Sequence, residues 1–295
     1  MLYYFISMDK VPDLFSYIKS HKWDQIKEIL NDEDNFIDLN IKDAQNNYLI
    51  SYAVLFNKLD IVKLLVDKGA KIDITDSDDR SILYTAIKLD YIDILEYLLA
   101  INKEFIGISI IDIRDKNFHI PLHYAIIYKN LQATKMLLDN KSNPNTTDKF
   151  GNNALHLSIY SRYTELSELI LKYNININLR TNIGETALHI ACNLQELSTI
   201  KLLLKQGDIN VNIQDYEHEF TPLHYSINLN NIIQVKLLLE NGASPTIQDV
   251  YGNTPIHYCI TENNFRAFVS LVGNEDTKVN VNIWNIEGKI PLHLV

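Results

Sequence analysis

One tetrapeptide recurs in phase along this 295-residue chain, and its spacing restricts the possible folds more than any other feature. The copies are Ile120-Pro121-Leu122-His123, Asn153-Ala154-Leu155-His156, Thr186-Ala187-Leu188-His189, Thr221-Pro222-Leu223-His224, Thr254-Pro255-Ile256-His257 and Ile290-Pro291-Leu292-His293. Successive histidines lie 33, 33, 35, 33 and 36 residues apart. Two weaker copies without the histidine, Tyr48-Leu49-Ile50-Ser51 and Ser81-Ile82-Leu83-Tyr84, precede them, again 33 residues apart. A unit of this length cannot bury an apolar face by itself, so such chains stack their units and grow by addition.

The residues inside one period predict a helix–turn–helix followed by a hairpin tip. Gly151, Gly184, Gly252 and Gly288 sit at the fourth place of a turn, where positive φ favours glycine. Pro121, Pro222, Pro255 and Pro291 suit the first turn of a helix, where a missing N–H costs nothing. Two residues beyond each motif histidine, or its equivalent, stands a small residue: Ala53, Ala86, Ala125, Ser158, Ala191, Ser226 and Cys259. That column lets neighbouring helices approach closely. A second apolar helix follows, as in Ile200-Lys201-Leu202-Leu203-Leu204, and Gly69, Gly207 and Gly242 are expected to stop it. Lys141 and Asn174 replace the stop glycine in two repeats, asparagine being the better suited to the left-handed region.

The period and the Thr-Pro-Leu-His-x-Ala signature resemble the ankyrin repeat family. The resemblance implies an all-α repeat solenoid of stacked helix-turn-helix repeats joined by short β-hairpin tips. Seven repeats are expected at about 43–75, 76–114, 115–147, 148–180, 181–214, 215–248 and 249–284, with the start of a truncated eighth at 285–295. Residues 1–42 read as an amino-terminal segment and a degenerate cap, because an end repeat needs a polar outer face. Repeat two carries an insertion near Phe105-Ile106-Gly107-Ile108, and repeat six has an extra residue around Glu217 to Glu219.

Composition narrows the function classes. The net charge of −10 argues against nucleic acid, which needs a basic face. No apolar run approaches the roughly 20 residues of a membrane helix, and no signal peptide is recognisable. Two cysteines, Cys192 and Cys259, suit a reducing compartment; being in helices two repeats apart, they are expected to be inert packing residues. The expected location is the cytoplasm, or a host cell into which the protein is delivered. The 41 isoleucines against 12 alanines point to an AT-rich genome, such as that of a parasite or large DNA virus.

A ladder of one histidine per repeat cannot converge on one ion, since packed helices stand about 8–10 Å apart. His123, His156, His189, His224, His257 and His293 therefore read as structural, each imidazole tying the turn of one repeat to the next. No phosphate loop, dinucleotide fingerprint, nucleophile elbow or kinase signature is found. No catalytic residue, metal, cofactor or small-molecule substrate is expected.

The resemblance implies a monomeric, non-enzymatic scaffold that holds a partner protein on a concave face of tips and inner helices. The composition fits a parasite- or virus-encoded protein acting on host proteins. The alternative is a substrate-recruiting adaptor of a ubiquitin ligase. The expected partner-binding residues are Phe150, Ile183, Tyr216, Val250 and Tyr251 at the tips and Tyr160 on an inner helix. Phe56, Tyr128, Leu194 and Leu229 are expected on the same side.

Overall fold

The computed structural model describes residues 14–32, 37–102, 109–273 and 279–295. The start of the cap and the insertion near Phe105 to Ile108 lie outside them. The chain divides into two compact units, one ending at Asn143 and the other beginning at Pro144. In the first, helices pair as α1 (Leu14–Lys19) with α2 (Trp23–Asn31), α3 (Leu49–Leu55) with α4 (Leu59–Asp67), α5 (Ile82–Lys88) with α6 (Ile92–Asn102) and α7 (Pro121–Ile127) with α8 (Leu131–Asp139). In the second, the pairs are α9 (Ala154–Tyr160) with α10 (Thr164–Ile170), α11 (Ala187–Asn193) with α12 (Leu197–Leu204), α13 (Pro222–Asn228) with α14 (Ile232–Glu240) and α15 (Pro255–Thr261) with α16 (Phe265–Val272). A short 3-10 turn, Pro291–Leu294, packs on α15. Within each unit every first helix packs on the next first helix and every second helix on the next second helix.

Each tip is built around its opening side chain. One oxygen of Asp148 accepts the N–H groups of Phe150 and Asn152, both at 2.8 Å. Asp249 accepts those of Tyr251 and Asn253 at 2.9 and 2.8 Å. The extra residue of repeat six shifts this pattern by one place, so Asp215 accepts from His218 and Phe220. These carboxylates bond turn amides, the ordinary role of an aspartate that opens a turn. The hairpin is less regular than expected: among the described residues the only bridges are the isolated pairs Lys42 with Tyr48 and Thr75 with Ser81, and no strand forms. A four-residue turn closed by a side chain leaves too little extended backbone for a ladder.

Left-handed backbone occurs at more places than the glycines indicate. The tips turn at Gly151, Gly184, Gly252 and Gly288, but also at Asn46, Asp79, Phe118 and Glu219. The turn between first and second helices puts Asn57, Asp90, Lys129, Arg162, Gln195, Asn230 and Asn263 at φ between 52° and 58°. A left-handed residue with a side chain costs roughly 1–2 kcal/mol. Helix-ending bonds offset it, as where Asn130 N–H reaches Ala125 O at 2.8 Å. One expectation about the stop position is corrected. Gly207 does not adopt positive φ, and Lys141 does, at 73°. The bond from Ser142 N–H to Leu137 O fixes that turn and outweighs the lysine's own preference.

The motif histidines lie at the start of the first helices. Nδ1 of His156, His189 and His224 accepts the N-cap N–H of Asn153, Thr186 and Thr221, each at 3.1 Å. Nδ1 of His257 accepts from Thr254 at 3.0 Å, and those of His123 and His293 accept from Ile120 and Ile290 at 3.3 Å. With Nδ1 an acceptor, Nε2 carries the proton. Nε2–H of His156 donates to Leu179 O at 3.1 Å, that of His189 to Phe220 O at 3.0 Å and that of His257 to Lys289 O at 3.3 Å, in each case at the next tip or the segment leading to it. All but the exposed His293 are buried.

The small-residue column is buried from Ala53 to Cys259. Where it carries serine, a polar side chain on the second helix answers: Ser158 meets Ser167 at 2.8 Å, and Ser226 donates to Gln234 at 3.0 Å. Burial pushes the thiols of Cys192 and Cys259 up to about 12, so both stay protonated. A second ladder was not anticipated. Asn145 receives Asn176 N–H at 2.7 Å and donates to Asn174 O at 2.8 Å. Asn178 does the same with Asn210 and Asp208, and Asn212 with Ser244 and Gly242. In these three repeats one amide thus satisfies both a donor and an acceptor of the following loop.

Two predictions follow from this packing. Ala191 is fully buried on α11, which is packed by both α9 and α13, so Ala191→Phe should overpack the stack by ~1–3 kcal/mol and lower the melting temperature. Burial lowers the pKa of His156, His189 and His224 from an ordinary 6.5 to about 4. Between those values only the unfolded chain takes up their protons, so stability is complete above pH 6.5 and declines as pH falls towards 4. Urea midpoints at a series of pH values should show this loss already above pH 5, before aspartates titrate at about 4.

Candidate partner-binding surface

In the unit beginning at Pro144 the tips are bonded in series. Asn182 N–H donates to Phe150 O at 3.0 Å, Tyr216 N–H to Ile183 O at 2.9 Å, Val250 N–H to His218 O at 3.1 Å and Ile286 N–H to Tyr251 O at 3.1 Å. These bonds place the expected tip residues one after another on a single edge. The approach is close: a Cβ on Gly184 would stand 2.3 Å from Tyr216 N and 2.6 Å from its ring, so only glycine fits beneath that tyrosine.

All six expected partner-binding residues are exposed: Phe150, Tyr160, Ile183, Tyr216, Val250 and Tyr251, at 46–60%. Phe150 lies under the Lys149 ammonium, 5.1 Å from its ring centre, and Tyr216 under the Arg180 guanidinium at 5.0 Å. Tyr160 ends α9, where burial of its hydroxyl and the charges of Glu185 and Asp148 raise its pKa to about 12, keeping it a donor at neutral pH. Trp284 and Ile286 prolong the edge at 59% and 72% exposure. They were missed, although the eighth repeat start at Asn285 marks them. Of the accessory positions, Tyr128 and Leu229 are exposed and Leu194 is half-buried. Phe56 is not free: it packs on His21, Trp23 and Tyr52 with ring centres 4.5, 5.8 and 6.3 Å away, because the cap brings its own aromatic side chains against repeat one.

Behind the edge lies a carboxylate pair that the sequence did not single out. The Tyr225 hydroxyl stands 2.9 Å from Asp215 and 3.2 Å from Glu185. One hydroxyl donates one proton, so the two carboxylates compete for it. Burial raises the pKa of Glu185, the Tyr225 bond opposes that rise, and the charges of Asp215 and Glu217 add to it. A perturbed carboxyl is sometimes catalytic. Here the neighbours of Glu185 are the Tyr225 hydroxyl and the like charges of Asp215 and Glu217. Among the described residues no group of three His, Cys, Asp or Glu side chains could hold a metal ion.

The ankyrin repeat family model matches residues 15–112, 101–181, 122–215, 169–249 and 212–284. This chain belongs to the ankyrin repeat family. An ankyrin repeat protein of Acanthamoeba polyphaga mimivirus is 38% identical over 262 residues, covering 88% of this chain and 34% of the relative. The chain thus spans about a third of the length of that relative. A fowlpox virus ankyrin repeat protein is 34% identical over 116 residues, 39% of this chain and 77% of the relative. Among solved structures, the ankyrin repeat domain of Bcl-3, a member of the IkappaB family, superposes with a TM-score of 0.67 at 23% identity. The match covers 74% of this chain and 95% of that domain, and it bears on the fold alone.

The shared hydroxyl gives this ankyrin stack a local test. Because the Tyr225 bond lowers the Glu185 pKa, Tyr225→Phe should raise it further. Carboxyl-detected NMR titration should show an upward shift of Glu185 in the variant.

Proposed function

We propose that this ankyrin array is a non-enzymatic scaffold that binds a partner protein through the edge carrying Phe150, Ile183, Tyr216, Val250 and Tyr251, with Tyr160 beside it. The reading rests on one observation: large apolar side chains recur at consecutive bonded tips and remain exposed. Scattered apolar residues are ordinary on any surface, but a contiguous stripe of them is a common mark of an interface. Tyrosine is also enriched among residues that dominate binding energy. Rigid tips hold these rings before a partner arrives, which reduces the ordering cost of association.

The scaffold works as a monomer in a reducing compartment, the cytoplasm of its own cell or of a host, and acts on host proteins. Two buried, free cysteines support the compartment, and the relatives in mimivirus and fowlpox virus support a viral setting. Among the described residues no helix is long and apolar enough to cross a membrane. The net charge of −10 disfavours a nucleic-acid partner.

Replacing Phe150, Tyr160, Tyr216 and Tyr251 by Ala tests the proposal. Partners captured from host-cell lysate by the parent chain and identified by mass spectrometry should bind the variant about tenfold or more weakly, with little change in melting temperature. Unchanged affinity would place the partner on another surface. Collapse of the fold would make these residues part of the core.

A further inference from the structure

Repeat one lacks the histidine that locks later repeats. Ser51 stands 105 residues before His156, at the same place in its tetrapeptide, and the repeat keeps that offset: Asp43 matches Asp148, Tyr48 matches Asn153 and Ile74 matches Leu179. In repeat four the His156 ring lies between the Asn153 N–H and the Leu179 carbonyl, 3.1 Å from each. In repeat one the equivalent groups belong to Tyr48 and Ile74, and the side chain between them is a serine. Ser51 is half-buried where His156 is fully buried. In repeat two Tyr84 takes the histidine's place and is itself buried.

A cleft of about 160 Å³ occupies the place left by the missing ring, and Tyr48, Ser51, Ile74, Thr75, Ser81 and Ile82 are in its wall. One water needs only ~10–15 Å³, whereas a cavity of ~150 Å³ accepts a benzene-sized ring. The wall is not purely apolar. Ser81, at the N-cap of α5, is 4% exposed, and its hydroxyl has no hydrogen-bond partner among the described residues. A buried hydroxyl left unpaired is costly, so a ring with polar atoms is favoured over a hydrocarbon.

We propose that this cleft is a binding site for a neutral imidazole group, whose one ring nitrogen accepts the Tyr48 N–H while the other donates to the Ile74 carbonyl. The bound group repeats what His156 does within its own chain. A protonated ring has two donors and no acceptor, so it cannot make both bonds. The exposed Asn46 and Leu55 also line the cleft, which is therefore open to solvent. A histidine side chain of a partner protein and a small free imidazole compound share the required chemistry. The cleft belongs to the first unit and the proposed binding edge to the second, so neither reading depends on the other.

The probe is imidazole at about pH 8, where the ring is neutral, titrated into the 15N-labelled full chain. The amides of Tyr48 and of Thr75, which follows the Ile74 carbonyl, should shift saturably with a Kd of about 1–10 mM. Those of Asn153 and Arg180, whose site His156 already fills, should not. N-methylimidazole, which lacks the N–H, should bind about tenfold or more weakly. Ser51→His supplies the ring from the chain itself, so it should raise the urea midpoint and abolish the response to imidazole. The tripeptide Gly-His-Gly separates the sources: saturation of the same amides by it assigns the site to a partner's histidine, and saturation by imidazole alone assigns it to a free compound. Absence of saturation by imidazole up to about 100 mM, equal binding of N-methylimidazole, or unchanged binding in Ser51→His overturns the proposal. The first two results come from the parent chain and hold whether or not the variant folds.

Discussion

Helices of six to eleven residues are too short to persist in water alone, so every element here depends on being covered by the next repeat. That dependence explains the regularity of the chain. Each helix pair has two flat sides, and each must present nearly the same surface to its neighbour. The alanine, serine or cysteine two residues past the histidine is buried in every repeat because a larger side chain would hold the first helices apart. Where the small residue is serine, stacking places its hydroxyl out of reach of water, and Ser167 or Gln234 supplies the partner that burial demands.

Apolar stacking sets proximity, but polar locks set the register. His156, His189 and His257 join the N-cap of their own helix to a carbonyl at or before the next tip, the asparagine ladder joins successive loops, and the tip amides join successive tips. These three bonds act at different depths of each repeat, so a slip of one repeat against the next would break all of them together. The histidines perform this role only while neutral. Burial keeps them neutral at physiological pH, and the same burial makes the array sensitive to acid.

The rigidity bears on the proposed binding edge. A tip whose amides are bonded to its own aspartate and to the preceding tip has its polar groups engaged, so the residues between them are free to carry apolar side chains outward. Phe150, Ile183 and Tyr251 stand two residues into their tips and Tyr216 one residue into its own, and all four are exposed. Stacking fixes the place, and the identities are open to selection by a partner. The cations over Phe150 and Tyr216 hold those rings while leaving them largely in water.

Much of this was legible in the sequence because a repeat averages its own noise. Six copies of one tetrapeptide identify the helix starts, and the tip glycines identify the turns. The exposure of Phe150 or Tyr251 followed from counting along a known period. Other features were not legible. The sequence did not show that Gly207 lacks positive φ while Lys141 has it, because the bonds that close each turn outweigh single-residue preference. It did not show that the cap turns its aromatic rings onto Phe56, because that contact joins residues far apart in the chain. Nor did it show the Tyr225 hydroxyl between Asp215 and Glu185, or the cleft beside Ser51. The sequence alone determined the repeat, its elements and most of the residues that face outward, all of which depend on local spacing. The tertiary structure alone decided which buried polar groups share a partner and where a cleft stays open, because both depend on what the neighbouring repeat places against them.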